Sequence, residues 1–209
     1  MPLPARDLRS NLGTWAVPPA LTPAVVALMR EVLPCEPYDP EFHGQELETT
    51  YFDTLDFDLR KARRRGDQYL TLRLRRYRPS EAYAISAKTE TDKFRTEIEP
   101  EQAEAILDGS TGQLVELLPA DLVARLLCLG AEELLVPVVT VFARRYAVEN
   151  DADRMTLDTA VRTDSAKALP ADVLEFKSAI RPAGPPSEIS RLRLRPVKIS
   201  KFLWATLWR

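Results

Sequence analysis

Apolar and polar residues alternate along several stretches of the chain, most cleanly over residues 69–77, YLTLRLRRY. Tyr69, Thr71, Arg73, Arg75 and Tyr77 fall on one side of that alternation, and Leu70, Leu72 and Leu74 on the other. Successive side chains of a strand point to opposite faces, so the pattern predicts a strand with one leucine face and one cationic face. Arg73 and Arg75 would stand about 6–7 Å apart along it. Related patterns predict strands at 12–17, 46–52, 83–88, 93–99, 137–148, 154–162 and 173–180. Helical spacing marks 22–33, with Thr22 as cap, Pro23 in first position and a stripe of Val25, Val26, Leu28, Met29, Val32 and Leu33. It marks 101–107 and 120–127 as well, with a short amphipathic piece between them that ends at Pro119. A helical turn is expected at 187–194, and a last helix from Ser200, anchored by Phe202, Trp204, Leu207 and Trp208. The charged run DFDLRKARRR, 56–65, reads equally as a helical turn or a bent strand. Strands grouped in sequence, with helices between the groups, predict an α+β fold with a largely antiparallel sheet.

Composition narrows the function classes. A chain of 209 residues, 45% hydrophobic and 29% charged, suits one ordinary globular domain spanning 1–209. The net charge of −2 gives no bulk attraction to nucleic acid, so an anion site would have to come from local patterning of the 29 lysines and arginines. Cys35 and Cys128 have no paired or metal-ligand spacing and read as small buried residues of a reduced, cytoplasmic protein. The first residues lack the apolar core of a signal peptide, and no apolar run approaches the ~20 residues of a membrane span. A single histidine, His43, argues against a Ser-His-Asp mechanism and excludes a multi-histidine metal site. No glycine-rich phosphate loop is present.

The strand pattern distributes the cations in a particular way. Lys88 shares a face with Ala82, Ala84 and Ser86, and Arg145 with Ala143 and Ala147, so small neighbours leave room for a long side chain. Lys93 and Arg95 share a face with Glu97 and Glu99; Arg154 shares one with Thr156 and Asp158; Glu175 shares one with Lys177. Lys198 and Lys201 are three apart and would adjoin on a helix. A lone strand cation is ordinarily solvated. Repeated on most long strands, each with an apolar opposite face, the pattern predicts a barrel-like sheet with helices outside and a cationic lumen. Such a lumen is costly to dehydrate without an anion, and guanidinium forks match phosphate oxygens. Glu175 could hold a hard divalent metal against the phosphates.

Several of these residues carry a family resemblance. Tyr51-Phe-Asp-Thr54, Arg73-x-Arg-Arg-Tyr77, Ala87-Lys-Thr89, Leu157-Asp-Thr159, Val173-Leu-Glu-Phe-Lys177 and Lys198-Ile-Ser-Lys-Phe202 follow one another over residues 46–203. In this order they resemble the VTC polyphosphate polymerase domain of the CYTH-like triphosphate tunnel metalloenzyme superfamily. The resemblance implies an antiparallel eight-stranded β-tunnel with flanking helices, holding triphosphate or polyphosphate. It implies phosphate-binding roles for Arg73, Arg75, Lys88, Arg145, Arg154, Lys198 and Lys201, all but Lys198 also serving catalysis. Glu175 matches the ligand of a divalent metal, Mn²⁺ or Mg²⁺, and Lys93 or Arg95 a further basic position. The implied reaction is transfer of a nucleoside triphosphate's terminal phosphate to a growing polyphosphate; related branches hydrolyse triphosphate. Either needs positioning and charge neutralisation more than a covalent nucleophile. The family also implies a membrane-associated complex, although this sequence contains no span of its own. One departure stands out. The family's first strand carries alternating Glu and Lys, whereas the equivalent stretch here, SNLGTWAV at 10–17, has neither. Glu46 and Glu48 read as an exposed strand edge rather than a relocated metal site. Three readings therefore stand: a polymerase, a hydrolase, and a non-catalytic module that binds polyphosphate or nucleotide.

Overall fold

Residues 10–66, 69–131, 135–179 and 186–207 are described by the computed structural model. The first strand, β1, is Ser10–Val17. A 3-10 turn at Pro19–Leu21 leads into α1, Thr22–Val32, with proline in its first turn as expected. Thr22 does not cap α1; its hydroxyl donates instead to Asp172 Oδ2 at 2.5 Å. The predicted stripe is present, with Val25 and Met29 fully buried and Val26, Leu28 and Val32 packed beside them.

Strand β2, Gln45–Thr54, is followed by α2, Asp58–Arg65, so the charged run is a helix. The cause lies in the strand before it. Asp53 is fully buried and accepts hydrogen bonds from the N–H groups of Thr54 (2.8 Å), Leu59 (2.8 Å) and Arg60 (2.9 Å). Thr54 Oγ1 donates to Asp58 Oδ2 and accepts from the Asp58 N–H. These are the backbone donors that a helix start leaves without partners. Leu59 and Ala62 are the only residues α2 buries, and Gly66, at φ +80°, ends it in the left-handed conformation that suits glycine.

Asp53→Ala should therefore cost about 2–3 kcal/mol in denaturant unfolding at neutral pH, because buried N–H groups lose their acceptor. A near-silent substitution would mean that α2 does not need this cap. Burial pushes the Asp53 carboxyl above its usual range, against the pull of the three N–H groups and with a smaller upward contribution from Asp58. The unfolded chain then releases this proton at lower pH than the folded one. Stability relative to Asp53→Asn should fall as pH rises from the ordinary carboxylate range through the raised value, and level off above it.

Three strands come next: β3, Thr71–Arg78; β4, Ala82–Lys88; and β5, Lys93–Ile98. Helices α3, Pro100–Leu107, α4, Thr111–Glu116, and α5, Ala120–Cys128, follow. Strands β6, Leu135–Glu149, β7, Asp153–Thr163, and β8, Asp172–Ser178, precede α6, Ser187–Arg191. The two-residue strand β9, Arg195–Pro196, and α7, Lys201–Thr206, complete the described chain.

The fold is α+β, with one nine-stranded sheet in the order β5-β4-β3-β2-β6-β7-β8-β1-β9. Eight strands correspond to the predicted ones, and β9 adds a short ninth against β1. Because β2 has β3 and β6 as neighbours, Glu46 and Glu48 are not on a sheet edge. Both are ion-paired, Glu46 to Arg144 at 2.9 Å and Glu48 to Arg78 at 2.9 Å and Arg76 at 3.6 Å.

The chain forms two compact units, one of residues 48–141 with the segment from Ser200, the other of residues 8–47 and 142–199. In the first unit the leucine face of β3, with Tyr83, Ile85 and Ala87 of β4, packs against α3, α4 and α5 through Ala103, Ile106, Leu114, Leu122 and Leu126. In the second, Met155 and Leu157 of β7 and Leu174 and Phe176 of β8 pack with Val25 and Met29 of α1 and Ile189 of α6. Three expectations fail on side-chain direction. Cys128 is exposed, two positions beyond the buried Leu126 on α5, and Cys35 is only half-buried; both are free thiols. Leu207 is 52% exposed, and α7 buries Ala205 and Thr206 beside Phe202 instead. Trp208 and residues 180–185, part of the predicted last strand and tail, lie outside the described residues. Among the described residues no helix is long and apolar enough to cross a membrane.

Candidate functional site

In the first unit, strand register assembles a cationic face. Across β3 and β4, Thr71 pairs with Lys88, Arg73 with Ser86, and Arg75 with Ala84. Across β4 and β5, Lys88 pairs with Lys93, Ser86 with Arg95, and Ala84 with Glu97. Directly paired residues point to the same side of a sheet. Arg73, Arg75, Lys88, Lys93 and Arg95 therefore share one face, with Ser86 and Ala84 as the small floor between the arginines. Arg73 is half-buried and makes no hydrogen bond or ion pair with another described residue. Arg75 is 9% exposed, donates from Nε to Thr49 Oγ1 at 3.0 Å, and lies 5.8 Å from the centroid of the Tyr77 ring. Arg95 approaches the same ring at 5.2 Å and Glu97 at 3.8 Å.

Lys201 stands at the first position of α7 in this unit, and α7 is fixed from three directions. Ser200 caps it, accepting from the Leu203 N–H at 3.4 Å. Phe202 is buried against Tyr51, with ring centroids 5.3 Å apart. Arg60 of α2 donates to the Thr206 carbonyl oxygen. The YFDT and KISKF stretches thus meet through Tyr51 and Phe202. Arg63 of α2, which the sequence did not single out, donates from Nε to Ser200 Oγ at 3.3 Å and from Nη1 to Thr71 Oγ1 at 3.2 Å. Its guanidinium lies 4.2 Å from the Tyr69 ring centroid.

The second unit brings Arg145, Arg154 and Glu175 to one strand face. Arg154 pairs with Lys177 and Thr156 with Glu175 between β7 and β8. On the other side of β8, Asn11 pairs with Lys177 and Thr14 with Glu175. The first strand therefore meets Glu175 and Lys177 with a neutral hydroxyl and a neutral amide. Arg145 is held by Asp158, through Nε to Oδ1 at 2.6 Å and Nη2 to Oδ2 at 2.7 Å. Arg154 is ion-paired to Glu36 and lies 3.7 Å from Glu149. Lys198 is exposed in the non-helical stretch between β9 and α7, so the helical juxtaposition expected for Lys198 and Lys201 does not occur.

Among the described residues no group of three or more His, Cys, Asp or Glu is arranged to hold a metal ion. Around Glu175 the register supplies one carboxylate with hydroxyls and cations beside it. That donor set does not fit a cage made wholly of protein ligands. It does fit the way Mg²⁺ is commonly held, by one or two carboxylates with phosphate oxygens and water completing the shell.

The VTC domain model matches residues 14–206, beginning inside β1 at the threonine opposite Glu175. The chain belongs to the VTC domain family. Solved structures share the fold. A "putative adenylate cyclase" of Bacillus halodurans is 12% identical with TM-score 0.64, covering 95% of this chain and 94% of its own. A "putative adenylyl cyclase" of Hippeastrum, described as having a dominant triphosphatase activity, is 14% identical with TM-score 0.59, covering 93% of each chain. A third "putative adenylate cyclase", of Vibrio parahaemolyticus, is 15% identical with TM-score 0.55, covering 95% of this chain and 98% of its own. At these identities the likeness is one of fold. No curated protein matches the chain.

Proposed function

We propose that this VTC domain binds the phosphate chain of triphosphate, polyphosphate or a nucleoside triphosphate through cations on strand faces, with Lys201 at the start of α7 and Lys198 in the stretch before it. The proposed phosphate ligands are Arg73, Arg75, Lys88 and Lys201 in the first unit, and Arg145, Arg154 and Lys198 in the second. With Mn²⁺ or Mg²⁺, the same residues except Lys198 promote transfer of the nucleotide's terminal phosphate to the end of a polyphosphate chain, with release of the nucleoside diphosphate. The family match runs through both units, which supports one functional domain over 1–209. The observation that carries the reading is the β3–β4–β5 face, where five cations surround small residues and Arg73 has no described partner. Glu175 would hold the metal, and the metal would neutralise phosphate charge when bound. The triphosphatase activity described for the Hippeastrum relative supports a triphosphate substrate and keeps hydrolysis as an outcome. One observation favours a second reading, a binding module without turnover: β1, the strand beside Glu175 and Lys177, places Thr14 and Asn11 opposite them and carries no acid or lysine.

Titration calorimetry with tripolyphosphate, with and without Mn²⁺, followed by product analysis after adding ATP, separates these. Binding with new polyphosphate supports the polymerase, and binding with free phosphate the hydrolase. Binding alone supports the module. Absence of binding overturns the phosphate reading.

Arg73→Ala and Arg75→Ala should each weaken tripolyphosphate binding by about 1–3 kcal/mol. They should differ in stability. Arg73→Ala should leave the melting temperature near wild type, because no described partner is abandoned. Arg75→Ala should lower it, because Thr49 loses a buried hydrogen bond and Tyr77 a cation. Unchanged affinity in both folded variants would remove the β3 face from the binding site.

A further inference from the structure

We propose that Arg63 is the positioning residue that fixes the Lys201-bearing helix α7 to the cationic face of β3. This rests on the phosphate reading only for its consequence, not for its geometry. Arg63 belongs to the arginine run of α2, which by composition alone reads as a solvated face. Lys61, Arg64 and Arg65 are exposed as that reading expects, whereas Arg63 turns inward.

Two of its nitrogens reach different elements. Nε bonds the Ser200 hydroxyl, which caps α7 immediately before Lys201. Nη1 bonds the Thr71 hydroxyl, which sits opposite Lys88 and two positions before Arg73. The guanidinium plane is also held near the Tyr69 ring, 4.2 Å from its centroid. A planar fork with separated donors can span two hydroxyls and stack at once; a lysine ammonium on a flexible stem cannot reproduce that geometry. α7 has only six residues and little intrinsic stability, so its placement depends on such tertiary ties. The neighbouring tie, Arg60 to the Thr206 carbonyl, holds the far end of the helix, so Arg63 governs the end that carries Lys201. The consequence is that Arg63 supports phosphate binding through Lys201 and not through its charge alone.

The test compares Arg63→Gln, Arg63→Lys, Lys201→Ala and the double variant Arg63→Gln/Lys201→Ala. Amide hydrogen exchange is read first, without ligand. Arg63→Gln should raise exchange at Leu203 and Trp204 by about tenfold or more, while the β3 and β4 amides keep their protection. Unchanged exchange in α7 overturns the proposal whatever the protein binds. Tripolyphosphate affinity is read second. Arg63→Gln and Arg63→Lys should both lose about five- to twentyfold, and the double variant should lose little more than Lys201→Ala alone. Full rescue by lysine, or multiplicative losses in the double variant, would show an independent charge effect and overturn the positioning role. A wild-type protein that does not bind tripolyphosphate, yet loses α7 protection in Arg63→Gln, would overturn the phosphate reading and leave the positioning role supported.

Discussion

Arg145→Ala should lower stability by about 3–5 kcal/mol, a larger effect than any other single cation of the proposed set. Arg145 is bonded twice to Asp158, a carboxylate only 2% exposed. Removing the guanidinium leaves that carboxylate buried without its main compensating charge, and the loss should appear as a lower denaturant midpoint with an unchanged slope. Replacing both partners tests whether the cost is electrostatic. Arg145→Met/Asp158→Leu should recover much of the stability, since a buried pair exchanged for apolar residues of similar volume is often neutral. A single variant as stable as wild type would mean that the pair is not held in solution. The pair also bears on binding. A phosphate that recruits Arg145 must compete with a bidentate carboxylate, whereas one that recruits Arg73 displaces no described protein partner. In a folded, stabilised background, Arg145 should therefore contribute less to tripolyphosphate affinity than Arg73.

The same contrast explains what could be read from the residues. The faces of β3, β4 and β8 were legible because a period of two is visible in the sequence and register preserves it: Arg73 and Arg75 do oppose the leucines, and Lys88 does stand among Ser86 and alanines. The first strand was legible from its apolar residues ahead of Pro18-Pro19, although a register shift between Asn11 and Gly13 interrupts its alternation; its lack of an acid or lysine is plain in the sequence. Helix α2 was not, since only Leu59 and Ala62 are buried and its start is set by Asp53, a strand residue five positions before the first helical one. Partnership was not legible either. Arg154 meets Glu36, and Arg145 meets Asp158, through contacts that strand alternation cannot announce. Arg63 was hidden by its own context, one arginine among four on α2, separable from the exposed Arg64 and Arg65 by the hydroxyls of Thr71 and Ser200 and the ring of Tyr69 that it meets. Lys198 and Lys201 were paired on an assumed helix that begins three residues too late to include both.

Glu175→Gln should reduce metal-dependent turnover of ATP by at least about a hundredfold, since a metal held against phosphates contributes several kcal/mol of charge stabilisation. The substitution keeps the shape of the side chain between Thr156 and Thr14 and removes only its charge. Its effect on binding should change sign with the metal. Without metal, Glu175 is an anion beside a site proposed for anions, so glutamine should bind tripolyphosphate several times more tightly than wild type. With Mn²⁺, the wild type should gain affinity, because metal and phosphate complete each other's coordination, and glutamine should not. Calorimetry in EDTA and in Mn²⁺ therefore gives a crossing pattern that neither misfolding nor general loss of charge produces. Parallel curves, or turnover at the wild-type rate, would place the metal elsewhere and leave Glu175 as a partner of the cations around it. The crossing pattern without turnover in the wild type would identify a metal-assisted binding module, the outcome that a first strand without an acid or a lysine already favours over hydrolysis.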